Sequence, residues 1–413
     1  MSKHLKTIAI DLMPVLPGGD NGGAKIFVLE LLSKLVTIAP ETTFILLMQN
    51  QTYPELQHLG VGNVRCIPLS TPGESLRRGG GYLSSLPLPK FLRTFGYYVY
   101  RRLRKRLGKQ ALVTIEADLL FCPFTTAAYD FNPSIPMVSV IYDLQHQTYP
   151  QFFSKAVCVH RDLVFKEACN KAKAIAVISE YSRQSVLQHS TFNPSRVRTI
   201  YLQLGERFEN PTVEEKEVTF AALARQYSLK TQQYLLYPAN YWMHKNHERL
   251  IEAFKSLQKN LPATFRLIFT GADSERQRLL QTQIESCGLG ERIIFAGYLT
   301  NHELAVLLSY STGVIFPSLY EGFGLPVIEA MTLGIPVACS NVTALPEVAA
   351  DAALLFDPTD IAAIAAAMQQ LIGDSLTRKT LSRKGLARAR DFSNATQMAE
   401  AYWKLFEEVV NAS

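Results

Sequence analysis

No run of apolar residues approaches the ~18 needed to cross a bilayer as a helix. Residues 1 to 7 run straight into the apolar segment Ile8-Ala9-Ile10, so no signal peptide is expected. The six cysteines (Cys66, Cys122, Cys158, Cys169, Cys287 and Cys339) are scattered and form no Cys-x-x-Cys pair. That argues against a zinc site or a disulfide framework and fits a reducing cytoplasm. No Asp-x-Asp pair stands at the end of a strand pattern; Asp351 and the pair Asp357/Asp360 fall in a late segment read as structural. Between Ser75 and Ile115 there is no Asp or Glu at all.

That last gap holds ten basic residues: Arg77, Arg78, Lys90, Arg93, Arg101, Arg102, Arg104, Lys105, Arg106 and Lys109. The whole chain carries 42 Lys and Arg against 36 Asp and Glu, a net +6; without these ten, 32 face 36, a net −4. The basic character is therefore local. Residues 86–109 interleave Phe91, Phe95, Tyr97, Tyr98 and Tyr100 with the cations. Such a stretch can lie on an anionic membrane surface. The plainer alternative is a basic helix packed on its own sheet by Phe91, Leu92, Phe95 and Tyr98. No recognition motif accompanies the charge, so nucleic acid is not expected as a partner.

At 413 residues the chain is too long for one typical core, and two domains are expected. Apolar strands alternate with amphipathic helices. Ile8 to Asp11, Phe44 to Met48, Leu119 to Phe121, Met137 to Ile141 and Ala174 to Ile178 read as strands, with a helix from Ala24 to about Ile38. The pattern breaks into a polar stretch near Phe208 to Pro211. It restarts with strands at Tyr234 to Tyr237, Phe265 to Phe269, Ile293 to Phe295, Val314 to Phe316 and Val337 to Cys339. Short strands separated by helices mean βαβ units and parallel sheets. The expected fold is α/β, two doubly wound Rossmann-like domains facing across a cleft. Their spans are 1–209 and 210–392, and a last helix in 393–413 packs back on the first domain. Ligands of such sheets bind at the carboxyl ends of the strands.

The segment from Pro317 to Met331 carries the most chemistry. Glu321 and Glu329 stand eight positions apart around Gly322-Phe323-Gly324, after a strand and before a helix. The glycines permit close backbone approach to a ligand. Pro326 suits a first helical turn, whose unpaired amides favour an anion. Carboxylates beside them can accept from sugar or ribose hydroxyls. Lys245 follows another strand at a helix start, where a cation can neutralise a departing diphosphate. His244 and His247 flank it without metal-ligand spacing.

Together these segments resemble the retaining glycosyltransferases of family 4, which have the GT-B fold. The match covers most of the chain. Glu321-x7-Glu329 fits that family's signature, and Lys245-Asn246 with Leu250 to Phe254 fits its phosphate-binding segment. Thr270-Gly271-Ala272, Ala344 to Val348 and Phe356-Asp357-Pro358 fit later landmarks. The resemblance implies a hexose of mannose or glucose type moved from a nucleotide-sugar such as GDP-mannose or UDP-glucose. The hydroxyl acceptor would be a carbohydrate, lipid-linked in surface polysaccharide synthesis. Glu321 would hold donor-sugar hydroxyls at the reacting centre, Lys245 the leaving diphosphate and Glu329 the ribose. Gly322, Phe323, Gly324 and Leu325 would hold the donor, largely through backbone amides. Gly271, Gly297, Tyr298 and Asn240 would complete the donor side. Gly22, Gly23 and Asp143 would lie on the phosphate and acceptor side, with His146 as its catalytic histidine.

Two departures stand out. Asn240 occupies the region where the family places an arginine, which leaves Arg249 or Lys25 as substitutes. Tyr142 stands where a histidine often precedes the aspartate, here Asp143, and His146 follows a turn later. With no confident nucleophile, front-face attack is implied, in which the leaving phosphate takes the acceptor's proton. No metal and no cofactor are expected. The alternatives are another GT-B enzyme (an epimerase or a phosphorylase) or a non-catalytic nucleotide-sugar-binding protein.

Overall fold

The computed structural model describes residues 4–18, 22–69, 115–128, 131–205 and 212–412. The basic segment 86–109 lies outside the described residues. Two compact units emerge, 1–202 with 395–413, and 203–394. The sequence placed the corresponding edges at 209/210 and 392/393.

Among its described residues the first unit holds seven strands: β1 (Thr7–Asp11), β2 (Thr43–Gln49), β3 (Val64–Leu69), β4 (Leu119–Cys122), β5 (Met137–Ile141), β6 (Ala174–Val177) and β7 (Val197–Thr199). Their order is β3-β2-β1-β4-β5-β6-β7, with every neighbouring pair parallel. The central strands are continuous apolar runs because helices cover both faces of a parallel sheet. β4, β5 and β6 are buried at every position. The last helix, Ala395–Asn411, belongs to this unit. Its Tyr402 and Phe406 rings lie 5.6 and 5.1 Å from Phe121, and Tyr402 lies 6.0 Å from Phe27 of the helix Gly22–Ile38.

Among its described residues the second unit has six strands: β8 (Tyr234–Pro238), β9 (Arg266–Thr270), β10 (Ile293–Phe295), β11 (Gly313–Phe316), β12 (Val337–Ser340) and β13 (Ala353–Phe356). Their order is β10-β9-β8-β11-β12-β13, again all parallel. Three strands escaped the sequence reading: β3, β7 and β13. Each is short or polar-flanked at the edge of a sheet, where only part of the strand is buried. The helix Val213–Tyr227 was hidden for a related reason. Leu223 is its one buried residue, and a Thr212/Glu215 capping box fixes its start. Among the described residues no helix is long and apolar enough to cross a membrane.

His247 sits at the centre of an aromatic cluster under the carboxyl edge of the second sheet. Its ring centroid is 4.7 Å from Tyr237, 5.3 Å from Tyr241 and 5.0 Å from Phe269. The side chain is fully buried, and neither ring nitrogen has a hydrogen-bond partner in the protein. Burial first, then the charges of Lys245, Arg276 and His244, pushes its pKa down to about 3. The unfolded ring gains a proton near ~6.5. Between those values the unfolded state binds more protons, so stability falls as the pH is lowered. From pH 7 to pH 5, His247→Leu should lose about 2 kcal/mol less stability than the native chain. Urea unfolding at the two pH values measures this; equal losses in both proteins would contradict it.

Candidate active site

In the second unit the chain winds from β8 outward through β9 and β10, then returns to place β11 on the other side of β8. The crossovers diverge between β8 and β11, which makes that gap the switch point where such sheets bind ligands. Lys245 follows β8 and Glu321 follows β11. Lys245 Nζ donates to Glu321 Oε1 at 2.6 Å, with the two side chains only 10% and 12% exposed. The ammonium also lies 5.2 Å from the Phe316 ring centroid.

Several hydrogen bonds hold this pair in place. Asn246 adopts a left-handed backbone, φ 62°, at the start of the helix His247–Leu257. Its Nδ2 donates to Pro317 O at 3.0 Å and to Pro358 O at 2.8 Å, and its Oδ1 accepts from Arg249 at 2.9 Å. Tyr237, buried in β8, donates its hydroxyl to Lys245 O at 2.7 Å and lies 3.2 Å from Ser318 Oγ. Leu319 N donates to His244 O at 2.7 Å. The loops after β8 and β11 are thus joined through buried, satisfied polar groups, which favours one geometry.

The glycine turn does what its residue types require. Gly324 has φ 104°, and a Cβ there would come within 2.5 Å of Leu345 Cδ2. The helix Leu325–Thr332 begins directly after it with Pro326 in its first turn. Leu325 is half-buried beside the turn. Glu321 N donates to Thr343 Oγ1 at 3.1 Å. Gly322 is half-buried, whereas the Phe323 ring packs 5.4 Å from Phe392, so its side chain belongs to the core. Glu329 is 2% exposed on the helix.

The ends of β8, β9 and β10 are tied as well. Asn240 Oδ1 accepts from Ala272 N at 3.1 Å, and Gly271 N donates to Gly297 O at 2.9 Å. Gly271, at φ 146°, leaves no room for a side chain: a Cβ would lie 2.9 Å from Ala239 O. Tyr298 follows Gly297 and is 78% exposed. All the residues read as donor-side therefore collect along one edge of one sheet. The substitute cations are otherwise engaged. Arg249 is bound to Asn246, and Lys25 donates to Leu16 O, Gly18 O and Glu55 Oε1 at 3.1, 2.8 and 2.6 Å. That bond, together with the Gly18 amide, holds the Glu55 carboxyl below its usual range.

In the first unit, Gly22 and Gly23 open the helix Gly22–Ile38, Gly22 with φ 51°. Asp143 Oδ1 accepts from Gln145 N at 2.9 Å, a local bond just ahead of the single turn Gln145–Thr148. Arg161 stands 3.9 Å from Asp143. Tyr142 points its hydroxyl into the core, where the group is buried without a partner and burial pushes its pKa well up. Its ring lies 5.9 Å from Phe27 and 6.3 Å from Phe124. The residue at the expected histidine position is thus a packing residue. His146 is 5% exposed, and its Nε2 lies 3.0 Å from Asp162 Oδ1. Asp162 was missed in the sequence, because nothing local ties a helical carboxylate to a loop histidine sixteen positions away. The late aspartates are structural: Asp357 Oδ1 accepts from Thr359 N, Asp360 caps the helix Ile361–Gly373, and Asp351 pairs with Lys384.

The family model described as Glycosyl transferases group 1 matches residues 221–388. The O-antigen chain mannosyltransferase B of Escherichia coli is 31% identical over 268 residues, 64% of this chain and 69% of that protein. The serotype-specific mannosyltransferase WbdA of Escherichia coli is 31% identical over 243 residues, 57% of this chain but only 29% of that protein. Among solved structures, sucrose-phosphate synthase from Thermosynechococcus elongatus shares the fold at TM-score 0.69 and 21% identity, covering 99% of this chain and 100% of that one. The chain belongs to the group 1 glycosyltransferases, nucleotide-sugar-dependent enzymes of the GT-B fold.

Proposed function

We infer that the protein is a retaining hexosyltransferase that moves mannose from a nucleotide donor, GDP-mannose before UDP-glucose, to a sugar hydroxyl. The observation that carries this reading is the nearly buried Lys245–Glu321 pair at the switch point of the second sheet. The preference for mannose rests on the names of the two Escherichia coli relatives. Glu321 would receive donor-sugar hydroxyls, Glu329 the ribose, and the amides around Gly322 and Gly324 the phosphates. Asn240, Gly271, Gly297 and Tyr298 would border the nucleotide.

The chemistry follows from what the pair can exchange. In the free protein Lys245 satisfies Glu321. A bound donor would offer Lys245 its diphosphate and Glu321 its sugar hydroxyls, replacing one buried ion pair by two sets of charge-assisted hydrogen bonds. The anomeric carbon–oxygen bond to the diphosphate then breaks, and the acceptor oxygen attacks from the same face. Its proton passes to the departing phosphate oxygen. Lys245 and nearby helix amides would stabilise the growing negative charge. Catalysis without a divalent metal is part of this proposal, as is a lipid-linked acceptor met at an anionic membrane surface through residues 86–109. The acceptor would be held by the first unit, with Gly22, Gly23, Asp143 and His146 on that side.

Three outcomes are expected. Glu321→Gln leaves an oxygen for Lys245, so the fold should survive while kcat falls by about 10²–10³; turnover at the native rate would refute the assignment. Activity with GDP-mannose should persist in excess EDTA, and its complete loss there would end the metal-free mechanism. In a thermal-shift panel of GDP-, UDP- and ADP-sugars, the true donor at a hundredfold excess over Kd should add about 2.7 kcal/mol of apparent stability. A response to UDP-glucose alone would replace mannose by glucose.

A further inference from the structure

The helix Ser375–Ala389 of the second unit carries Arg378, Lys379, Arg383, Lys384 and Arg388 and no Asp or Glu, and Arg390 follows it directly. Its buried residues are Leu381, Gly385 and Ala389. Gly385 sits tightly on the helix Leu325–Thr332: a Cβ there would come within 3.1 Å of Met331 Cγ. Three of the six cations serve the fold. Arg378 donates to Leu371 O and Ile372 O, both at 2.8 Å, and Lys384 pairs with Asp351 at 2.8 Å. Arg388 donates to Val348 O at 2.9 Å and Glu347 O at 2.7 Å, and pairs with Asp391 at 2.8 Å. The side chains of Lys379, Arg383 and Arg390 have no hydrogen bond or ion pair among the described residues. All three line one open groove of about 440 Å³ with Ser382, Leu386 and Ala387, and no carboxylate borders it.

At 3.6 residues per turn, Leu376, Lys379, Arg383, Leu386 and Arg390 fall within about 80° of the helix circumference. All five are exposed, Leu376 by 72% and Leu386 by 44%. The stripe therefore holds cations and leucines and no anion. Lys379 and Arg383, four residues apart, repel each other, and an anionic partner would turn that repulsion into attraction. Size decides what kind of anion fits. Lys379 and Arg390 stand about 16 Å apart along the axis, by the helical rise per residue. One phosphate ion cannot reach both, whereas a row of phosphates can. The leucines decide which row. A nucleic-acid backbone offers them nothing. At a bilayer they enter the boundary beneath the headgroups while the cations meet the lipid phosphates.

We propose that Leu376, Lys379, Arg383, Leu386 and Arg390 form a docking surface for an anionic lipid bilayer, in the second unit and separate from residues 86–109. None of these residues belongs to the candidate active site, and the proposal does not depend on which sugar is transferred.

The test is co-sedimentation of the full chain with vesicles of phosphatidylcholine alone and of phosphatidylcholine with an equimolar share of phosphatidylglycerol. The native chain should bind the mixed vesicles and leave the neutral ones. Each cation near an anionic leaflet contributes about fivefold to partitioning, so the triple variant Lys379→Gln, Arg383→Gln, Arg390→Gln should bind the mixed vesicles about a hundredfold more weakly. The double variant Leu376→Ser, Leu386→Ser keeps every charge and should bind them about tenfold more weakly. Both variants alter exposed side chains and should melt at the native temperature. Residues 86–109 are common to all three proteins, so the differences read the stripe alone. Native-like binding by the triple variant, or no binding of the native chain to mixed vesicles, would overturn the proposal. Native-like binding by the leucine variant would make the stripe a site for soluble polyanions and overturn the lipid assignment. Displacement from the vesicles by millimolar inorganic phosphate, at constant ionic strength, would reassign the groove to a free phosphate ion. Vesicle binding needs no turnover, so failure here is distinct from failure of the transfer reaction.

Discussion

The candidate site depends on one ion pair made across a gap between strands. Lys245 and Glu321 are 76 positions apart, yet they meet because the chain turns back and lays β11 against β8. Neither side chain is more than about an eighth exposed. Two charges so far out of water are tolerated only when they answer each other with good geometry. The surrounding bonds supply that geometry: the Asn246 amide spans Pro317 and Pro358, and the Tyr237 hydroxyl holds the Lys245 carbonyl. Once the pair is fixed, the glycine turn, the helix after it and the neighbouring strand ends have little freedom left.

The same desolvation shapes what lies beneath. His247 is enclosed by aromatic rings and held neutral, with Lys245 two residues away adding to the effect. A charged imidazole there would have shared the pocket with the ammonium that the proposed reaction needs. A dry, neutral floor leaves Lys245 and the helix amides as the local positive potential, where a low dielectric strengthens them.

The first unit solves a different problem. Tyr142 packs its ring against Phe27 and Phe124, and Phe27 in turn meets Tyr402. Beside it Asp143 accepts from Gln145 N at the start of the turn that carries His146, and the following helix returns Asp162 to the His146 ring. The residue that broke the expected pattern in sequence is thus half-buried, with its ring packed on Phe27 and Phe124 and its hydroxyl out of reach of solvent. The cation shortage behind Asn240 has no such answer: Lys25 and Arg249 are both held by local partners.

The sequence by itself determined the alternation of strands and helices, because buried parallel strands are continuous apolar runs and the helices between them carry caps. It also marked the glycine turn between Glu321 and Glu329, because glycine alone frees the backbone for a left-handed turn, which Gly324 adopts at φ 104°. It left the edge strands β3, β7 and β13 and the helix Val213–Tyr227 unread, because half-exposed elements carry little hydrophobic signal. Only the tertiary structure decided which charges are shared. Lys245 could be matched to Glu321, Lys25 to Glu55 and His146 to Asp162 only after strand order and helix packing had closed distances that no local spacing encodes. The physical reason is that composition and periodicity report on burial, which is a local average, whereas a hydrogen bond is a meeting of two atoms.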